Sequence, residues 1–137
     1  MDAVIKILLV EDDYDIALAL TRLLTSRGYT VQTANTVASA LEAVDKKAFD
    51  ILICDLGLPD GTGFQLIESV RKKFATPAIA LTGSGMEQDV AQSKLSGFDA
   101  HLTKPVNFHN LEATIRKLTA HSDVRILPDP ERKRFAA

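Results

Sequence analysis

Five short runs of β-branched residues and leucine, each separated from the next by a longer stretch with helical spacing, limit this chain more than any other feature. The runs fall at residues 5–10, 29–34, 51–54, 78–81 and, more weakly, 100–102. Strands alternating with helices predict a parallel sheet, because parallel neighbours need a long crossover and a helix is the usual one. Runs 5–10 and 51–54 are apolar at nearly every position rather than at alternate ones, as expected of central strands covered on both faces. With right-handed crossovers the five units form a doubly wound (βα)5 three-layer α/β sandwich around a parallel five-stranded sheet.

The intervening stretches carry helix signals. In the first, Ile16, Leu20, Leu23 and Leu24 share a face and Gly28 is the stop. In the second, Thr36 is the cap and Val37, Leu41 and Val44 form the stripe. The third runs over about residues 63–74 with Phe64, Ile67 and Val70 inward, and Pro77 bars its continuation. The fourth, roughly residues 86–95, has a weak stripe of Met86, Val90 and Leu95 and ends at Gly97. The fifth follows Pro105, is capped by Asn107 and turns Leu111, Ile115 and Leu118 to one side. From Ser122 the pattern fails, with two prolines and no periodicity, so the expected organisation is one domain over residues 4–121 and a tail or linker over 122–137.

Composition narrows the function classes. A 137-residue chain that is 46% hydrophobic can build one core without disulfide or metal staples. The one cysteine, Cys54, lies inside an apolar run, which excludes an internal disulfide and a C-x-x-C motif and reads as a small buried hydrophobe. A reducing cytoplasm fits, and the interrupted N-terminal apolar stretch is too short for a signal peptide or a membrane span. We therefore expect a cytoplasmic domain without direct membrane contact, compatible with a place in a larger membrane-attached protein. Sixteen basic residues against eighteen acidic ones give a formal charge of −2, which offers no field for steering toward nucleic acid. The cluster Arg132, Lys133, Arg134 beside Glu131 reads as a solvated linker. Glycines 61, 63, 83 and 85 complete neither a P-loop nor G-x-G-x-x-G, and are better read as turns and helix starts.

Each apolar run ends in polar residues of particular kinds. The first run is followed by Glu11, Asp12 and Asp13, the third by Asp55, the fourth by Thr82, the fifth by Thr103 and Lys104. In an open parallel sheet these C-terminal ends share one edge, where ligands bind. If the first and third strands are neighbours, Asp12 and Asp55 converge, and clustered carboxylates call for a cation. Mg²⁺ answers that need: it takes oxygen ligands and keeps waters that a phosphoryl oxygen can replace. Lys104 and the Thr82 hydroxyl can meet further phosphoryl oxygens, leaving Asp55 to attack as a carboxylate nucleophile. Taken singly, Asp55 is a strand-terminal turn acid, Glu11 and Asp12 are helix N-terminal acids, and Lys104 is a surface residue. Together they form one constellation. Asp13 reads as a helix-start acid only.

The segments ILLVEDD, CDLGLPDGTGF, ALTG and LTKPV, in this order and spacing, resemble the receiver domain of bacterial two-component response regulators, of the CheY-like superfamily. The resemblance covers roughly residues 4 to 120 and implies a flavodoxin-like fold with strand order 2-1-3-4-5. It implies that Asp55 is the phosphoacceptor and a metal ligand, that Asp12 ligates directly and Glu11 through water, and that the main-chain carbonyl of Gly57 is the third protein ligand. The ion is Mg²⁺, with Mn²⁺ as the substitute. Thr82 matches the family's switch hydroxyl and Lys104 its lysine, with the Lys104-Pro105 bond expected cis. His101, three before the lysine, stands where relatives carry Tyr or Phe and couples Thr82 to the surface of the fourth helix, fifth strand and fifth helix, a face suited to dimerisation.

The implied function is acceptance of a phosphoryl group from a histidine kinase or histidine phosphotransfer protein, catalysed by the receiver itself rather than by a turnover enzyme. The wording GFDAHLTKPV is similar to receivers of hybrid histidine kinases, with a stand-alone regulator as the alternative context. Three rival readings fit less well. An Asp-nucleophile hydrolase like the haloacid dehalogenases wants D-x-D, and Gly57 occupies the second position. A flavin module wants a Ser/Thr-rich turn where Glu11, Asp12 and Asp13 stand. A pseudo-receiver would lack part of the constellation. Two departures bear on phosphoryl lifetime: Gly57, two past the acceptor, has no side chain, and Ser84 stands two past Thr82. Gly83 would loosen the loop that bears Thr82.

Overall fold

The computed structural model describes residues 4–83 and 97–120. The chain order is β1 (Lys6–Val10), α1 (Tyr14–Ser26), β2 (Thr30–Ala34), α2 (Val37–Lys46), β3 (Ile51–Asp55), a small hairpin of β4 (Gly57–Leu58) and β5 (Gly61–Thr62), α3 (Gly63–Arg71), β6 (Ala78–Thr82), β7 (Ala100–Thr103) and α4 (Phe108–Thr119). Helix α4 is thus the fifth helix expected from sequence. The fourth, at residues 86–95, and the tail at 122–137 lie outside the described residues.

The main sheet is parallel with order β2-β1-β3-β6-β7, which is 2-1-3-4-5 once the hairpin strands are set aside. Its two faces are separate cores. Leu8, Val10, Leu52, Cys54, Ala78 and Ala80 point toward α2 and α3, while Ile7, Leu9, Ile51, Ile53, Ile79 and Leu81 point toward α1 and α4. Every residue of β3 and β6 is buried, as a strand covered on both faces requires. Burying one such Ile or Leu is worth about 1.5–3 kcal/mol, and these side chains dominate the interior.

Helix starts follow their caps. Asp13 Oδ1 accepts from the Ile16 amide, Thr36 and Thr62 form capping boxes with Ser39 and Gln65, and Asn107 accepts from the Asn110 amide. At the far end of α1, Gly28 takes φ 96°, a backbone conformation that closes the helix and that side chains resist.

Of the expected helix faces, that of α1 needs correction, while those of α2 and α3 do turn to the core but leave out some of their most buried residues. On α1 the buried residues are Ala17, Leu20 and Leu24, whereas Ile16 and Leu23 are 38% and 44% exposed. On α2 it is Ala40 and Ala43 that are buried, with Val37, Leu41 and Val44 only partly so. On α3 Leu66 joins Ile67 and Val70 inside, Phe64 is partly buried, and the helix ends at Arg71 rather than near Phe74. On α1 and α2 the buried line thus includes alanines, and some of the larger apolar side chains stand at its margin. Arg71 then staples the sheet edge away from the acidic residues, donating to the Gly97 carbonyl (2.9 Å), the Thr76 carbonyl (2.6 Å) and Asp99 (3.1 Å). No helix among the described residues is long and apolar enough to cross a membrane.

Candidate functional site

Strand register places the acids. β3 lies between β1 and β6, pairing Val10 with Cys54 and Asp55 with Leu81, so the residues that end β1, β3 and β6 line one edge. Asp55 and Thr82 are the last residues of their strands rather than the first beyond them. One carboxylate oxygen from each of Glu11, Asp12 and Asp55 can be chosen so that all lie within 4.8 Å of one another. Glu11 is 2% exposed and Asp55 9%, while Asp12 faces solvent.

Lys104 enters from the end of β7. Its ammonium donates to Asp55 Oδ2 at 2.8 Å and to Glu11 Oε1 at 3.1 Å. The loop that brings it there is fixed by the Lys104 amide bonding the Thr82 carbonyl at 2.7 Å and contains a cis Lys104-Pro105 bond. The other oxygen of Asp55, Oδ1, accepts from the Gly57 amide at 3.3 Å. Glu11 Oε2 accepts from the Asp13 amide at 3.2 Å.

The electrostatics are those of a crowded site. Burial pushes the Glu11 carboxyl above its ordinary range; the Asp13 amide and Lys104 pull it down, but Asp55 adds to the push. Burial opposes the charge of Lys104, yet its bonds and attraction to Asp55 and Glu11 hold the ammonium above its usual range. Three carboxylates against one ammonium leave an excess of negative charge when ionised, which suits a divalent ion with oxygen ligands. The donor set therefore fits Mg²⁺. Beneath it, Cys54 is fully buried, burial drives its thiol upward, and it is packing rather than chemistry.

Thr82 is 1% exposed, and among the described residues its hydroxyl donates to the Leu102 carbonyl, at 3.5 Å. That distance is long for an O–H···O bond, so this bond is a weak one. His101 is half-buried on β7 beside Ala80, within the strand and outside the acidic cluster. The structure brings together Glu11, Asp12, Asp55, Gly57 and Lys104, sets Thr82 at the end of the adjacent strand, and leaves His101 apart.

One feature of the site had no sequence signal. The β4–β5 hairpin behind Asp55 is tied to the start of α2 by Asp60, whose Oδ1 and Oδ2 accept from the amides of Val37 (2.7 Å) and Ala38 (3.0 Å). In sequence, an acid in P-D-G is a turn residue, and its partners lie more than twenty positions away.

A family model described as the response regulator receiver domain matches residues 7–116. The regulatory protein VanRc of Enterococcus gallinarum is 36% identical over 114 residues, covering 83% of this chain and 48% of that protein. The transcriptional regulatory protein KdpE of Mycobacterium tuberculosis is 35% identical over 122 residues, covering 86% and 54%. The chain spans about half the length of these curated relatives. Among solved structures, the chemotaxis response regulator CheY4 of Vibrio cholerae has a TM-score of 0.78 at 31% identity, covering 85% of this chain and 99% of that one. A CheY-like response regulator receiver domain protein from Methanospirillum hungatei has a TM-score of 0.83 at 27% identity, covering 90% and 99%.

Proposed function

The chain belongs to the response regulator receiver domain family of two-component systems, and from that premise we propose that Asp55 is its phosphoacceptor. The observation that carries the assignment is the Lys104 ammonium bridging Asp55 and Glu11 beside Asp12, at the edge where the central strands end. In the proposed reaction an oxygen of Asp55 attacks the phosphorus of a phosphohistidine on a histidine kinase or phosphotransfer protein. The P–O bond forms as the P–N bond breaks, and the imidazole leaves with the electron pair and takes up a proton. Asp12, Asp55 and the Gly57 carbonyl would hold Mg²⁺, with Glu11 acting through water, and the bound ion would neutralise charge on the phosphoryl oxygens.

The chain's own groups do the rest. Lys104 offers its ammonium to a second phosphoryl oxygen, and Thr82, whose hydroxyl makes a long bond to the Leu102 carbonyl, turns it to the third. The added charge thereby shifts a two-state surface that includes β7 and His101. We take the domain as residues 4–121, followed by a tail or linker over 122–137. Both named relatives are regulators longer than this chain, which favours a place in a response regulator over the hybrid-kinase context suggested by GFDAHLTKPV. The full-length gene product separates the two.

Incubation with Mg²⁺ and acetyl phosphate should add the mass of one phosphoryl group, labile to hydroxylamine, and Asp55→Asn should abolish it. Undiminished labelling of Asp55→Asn would sink the assignment.

A further inference from the structure

We propose that Asp60 is a positioning residue for the metal site: its carboxylate clamps the β4–β5 hairpin to the start of α2 and so holds Gly57 at the acidic cluster. The inference rests on the reading of the Gly57 carbonyl as a ligand.

Helix α2 already has a cap of its own. Thr36 Oγ1 accepts from the Ser39 amide at 3.0 Å, and the Ser39 hydroxyl accepts in turn from the Thr36 amide at 3.2 Å. Asp60 takes the two preceding first-turn amides, Val37 and Ala38, one on each carboxylate oxygen. A carboxylate meets each amide with its own oxygen, and its negative charge is favoured at a helix start. Those two amides hold the Asp60 carboxyl below the usual carboxylate range, so it is ionised at neutral pH.

The hairpin needs the tether. It consists of two residue pairs, Gly57 with Thr62 and Leu58 with Gly61, and so short a ribbon is marginal alone. Asp60 sits at its tip and Gly57 at its base. The opposite arm is anchored through Thr62, which caps α3. Contact at the tip is tight: a Cβ on Gly61 would lie 3.2 Å from Val37 Cγ2. Asp60 therefore fixes one side of a ribbon whose other side is fixed by α3, and Gly57, whose carbonyl is the proposed ligand, lies between the anchors and Asp55.

The test is Mg²⁺ alone, titrated into the full chain by calorimetry and by amide NMR. Asp60→Ala should weaken the Mg²⁺ Kd about tenfold, the scale of losing a group that supports a ligand. Asp60→Asn, which keeps one acceptor, should lose about threefold. Thr36→Ala, which removes the helix's own cap and leaves the hairpin clamped, should stay within about twofold of wild type even where it costs stability. The Gly57 amide resonance of the metal-free protein should move in both Asp60 variants and stay in Thr36→Ala. If Asp60→Ala does not fold, Asp60→Asn decides. At about 1 M KCl the Debye length falls to about 3 Å, so a mere field effect of the Asp60 charge would vanish while a positional loss persists. An unchanged Kd in the Asp60 variants, or a loss abolished by salt, overturns the inference alone. Failure of wild type to bind Mg²⁺, or full binding by Asp12→Asn, overturns the metal-site reading and the inference with it.

Discussion

Replacing Lys104 by Met keeps the stem of the side chain and removes the cation that Asp55 and Glu11 share. The ammonium lies 2.8 Å and 3.1 Å from oxygens whose side chains are 12% and 1% exposed, and the lysine side chain is itself 26% exposed. Removing one partner from a fully buried pair costs about 3–5 kcal/mol, whereas exposed pairs are worth about 0–1 kcal/mol. Two acids this deep with a lysine this accessible fall between, and we expect a loss of about 2–3 kcal/mol at neutral pH without metal. Mg²⁺ supplies the missing charge, so saturating Mg²⁺ should shrink the difference to below about 1 kcal/mol. Linkage requires the converse: without its resident cation the cluster should bind Mg²⁺ more tightly. The chain has no tryptophan, so urea unfolding is best followed by far-UV circular dichroism, with and without Mg²⁺. A Lys104→Met protein as stable as wild type in EDTA, or equally destabilised with and without Mg²⁺, would refute the view that lysine and metal neutralise one cluster.

Two further outcomes are expected. A Cβ on Gly63 would lie 2.9 Å from the Asp55 carbonyl and 3.1 Å from Leu56 Cα, both backbone atoms that cannot swing aside. Gly63→Ala should therefore cost about 1–3 kcal/mol in urea unfolding and slow labelling of Asp55, because the shift falls on the acceptor loop. Away from the site, Glu112 accepts from Arg27, Tyr29 and Arg116. Bonding from Arg27, more than burial opposes it, and then Arg116 hold its carboxyl below the ordinary value of 4.5. A depressed acid contributes stability above its unfolded pKa and loses it as pH falls through the lower folded one. Arg27→Ala should thus be less stable than wild type at neutral pH, with the gap closing on the acid side of about pH 4.5 in circular-dichroism melts; a gap independent of pH would assign the effect to packing.

The sheet was legible because its central strands are apolar at nearly every position, and a run with almost no polar face has only one home in a small α/β domain. Helix faces were read less well, and the reason is visible in Ala17, Ala40 and Ala43. Alanine carries little hydrophobic weight in a pattern, yet its size lets a helix approach the sheet, so the true inner line runs through it and large neighbours such as Ile16 and Leu23 are left at the margin. Convergence of Asp12 with Asp55 depended on strand order, which periodicity does not supply and the family resemblance did. The clamp by Asp60 and the staple by Arg71 were invisible for a different reason: both join main-chain groups to side chains across the fold, and a backbone amide leaves no mark in a sequence.

Gly57 is the residue whose meaning the structure changes most. Glycine in a loop next to an acceptor suggests a backbone that only glycine can adopt, as at Gly28 and Gly97, or a clash that only glycine avoids, as at Gly63. Neither holds here: Gly57 has no positive φ, and nothing among the described residues lies within 4 Å of where its Cβ would stand. Packing thus leaves the position free to carry a side chain, on the residue whose amide bonds Asp55 Oδ1. Glycine leaves open space there instead. On the proposed reading, a phosphoryl group on Asp55 would get no cover from a side chain at position 57, which leaves Lys104, Thr82 and the metal ligands as the groups of that site able to exclude or orient water.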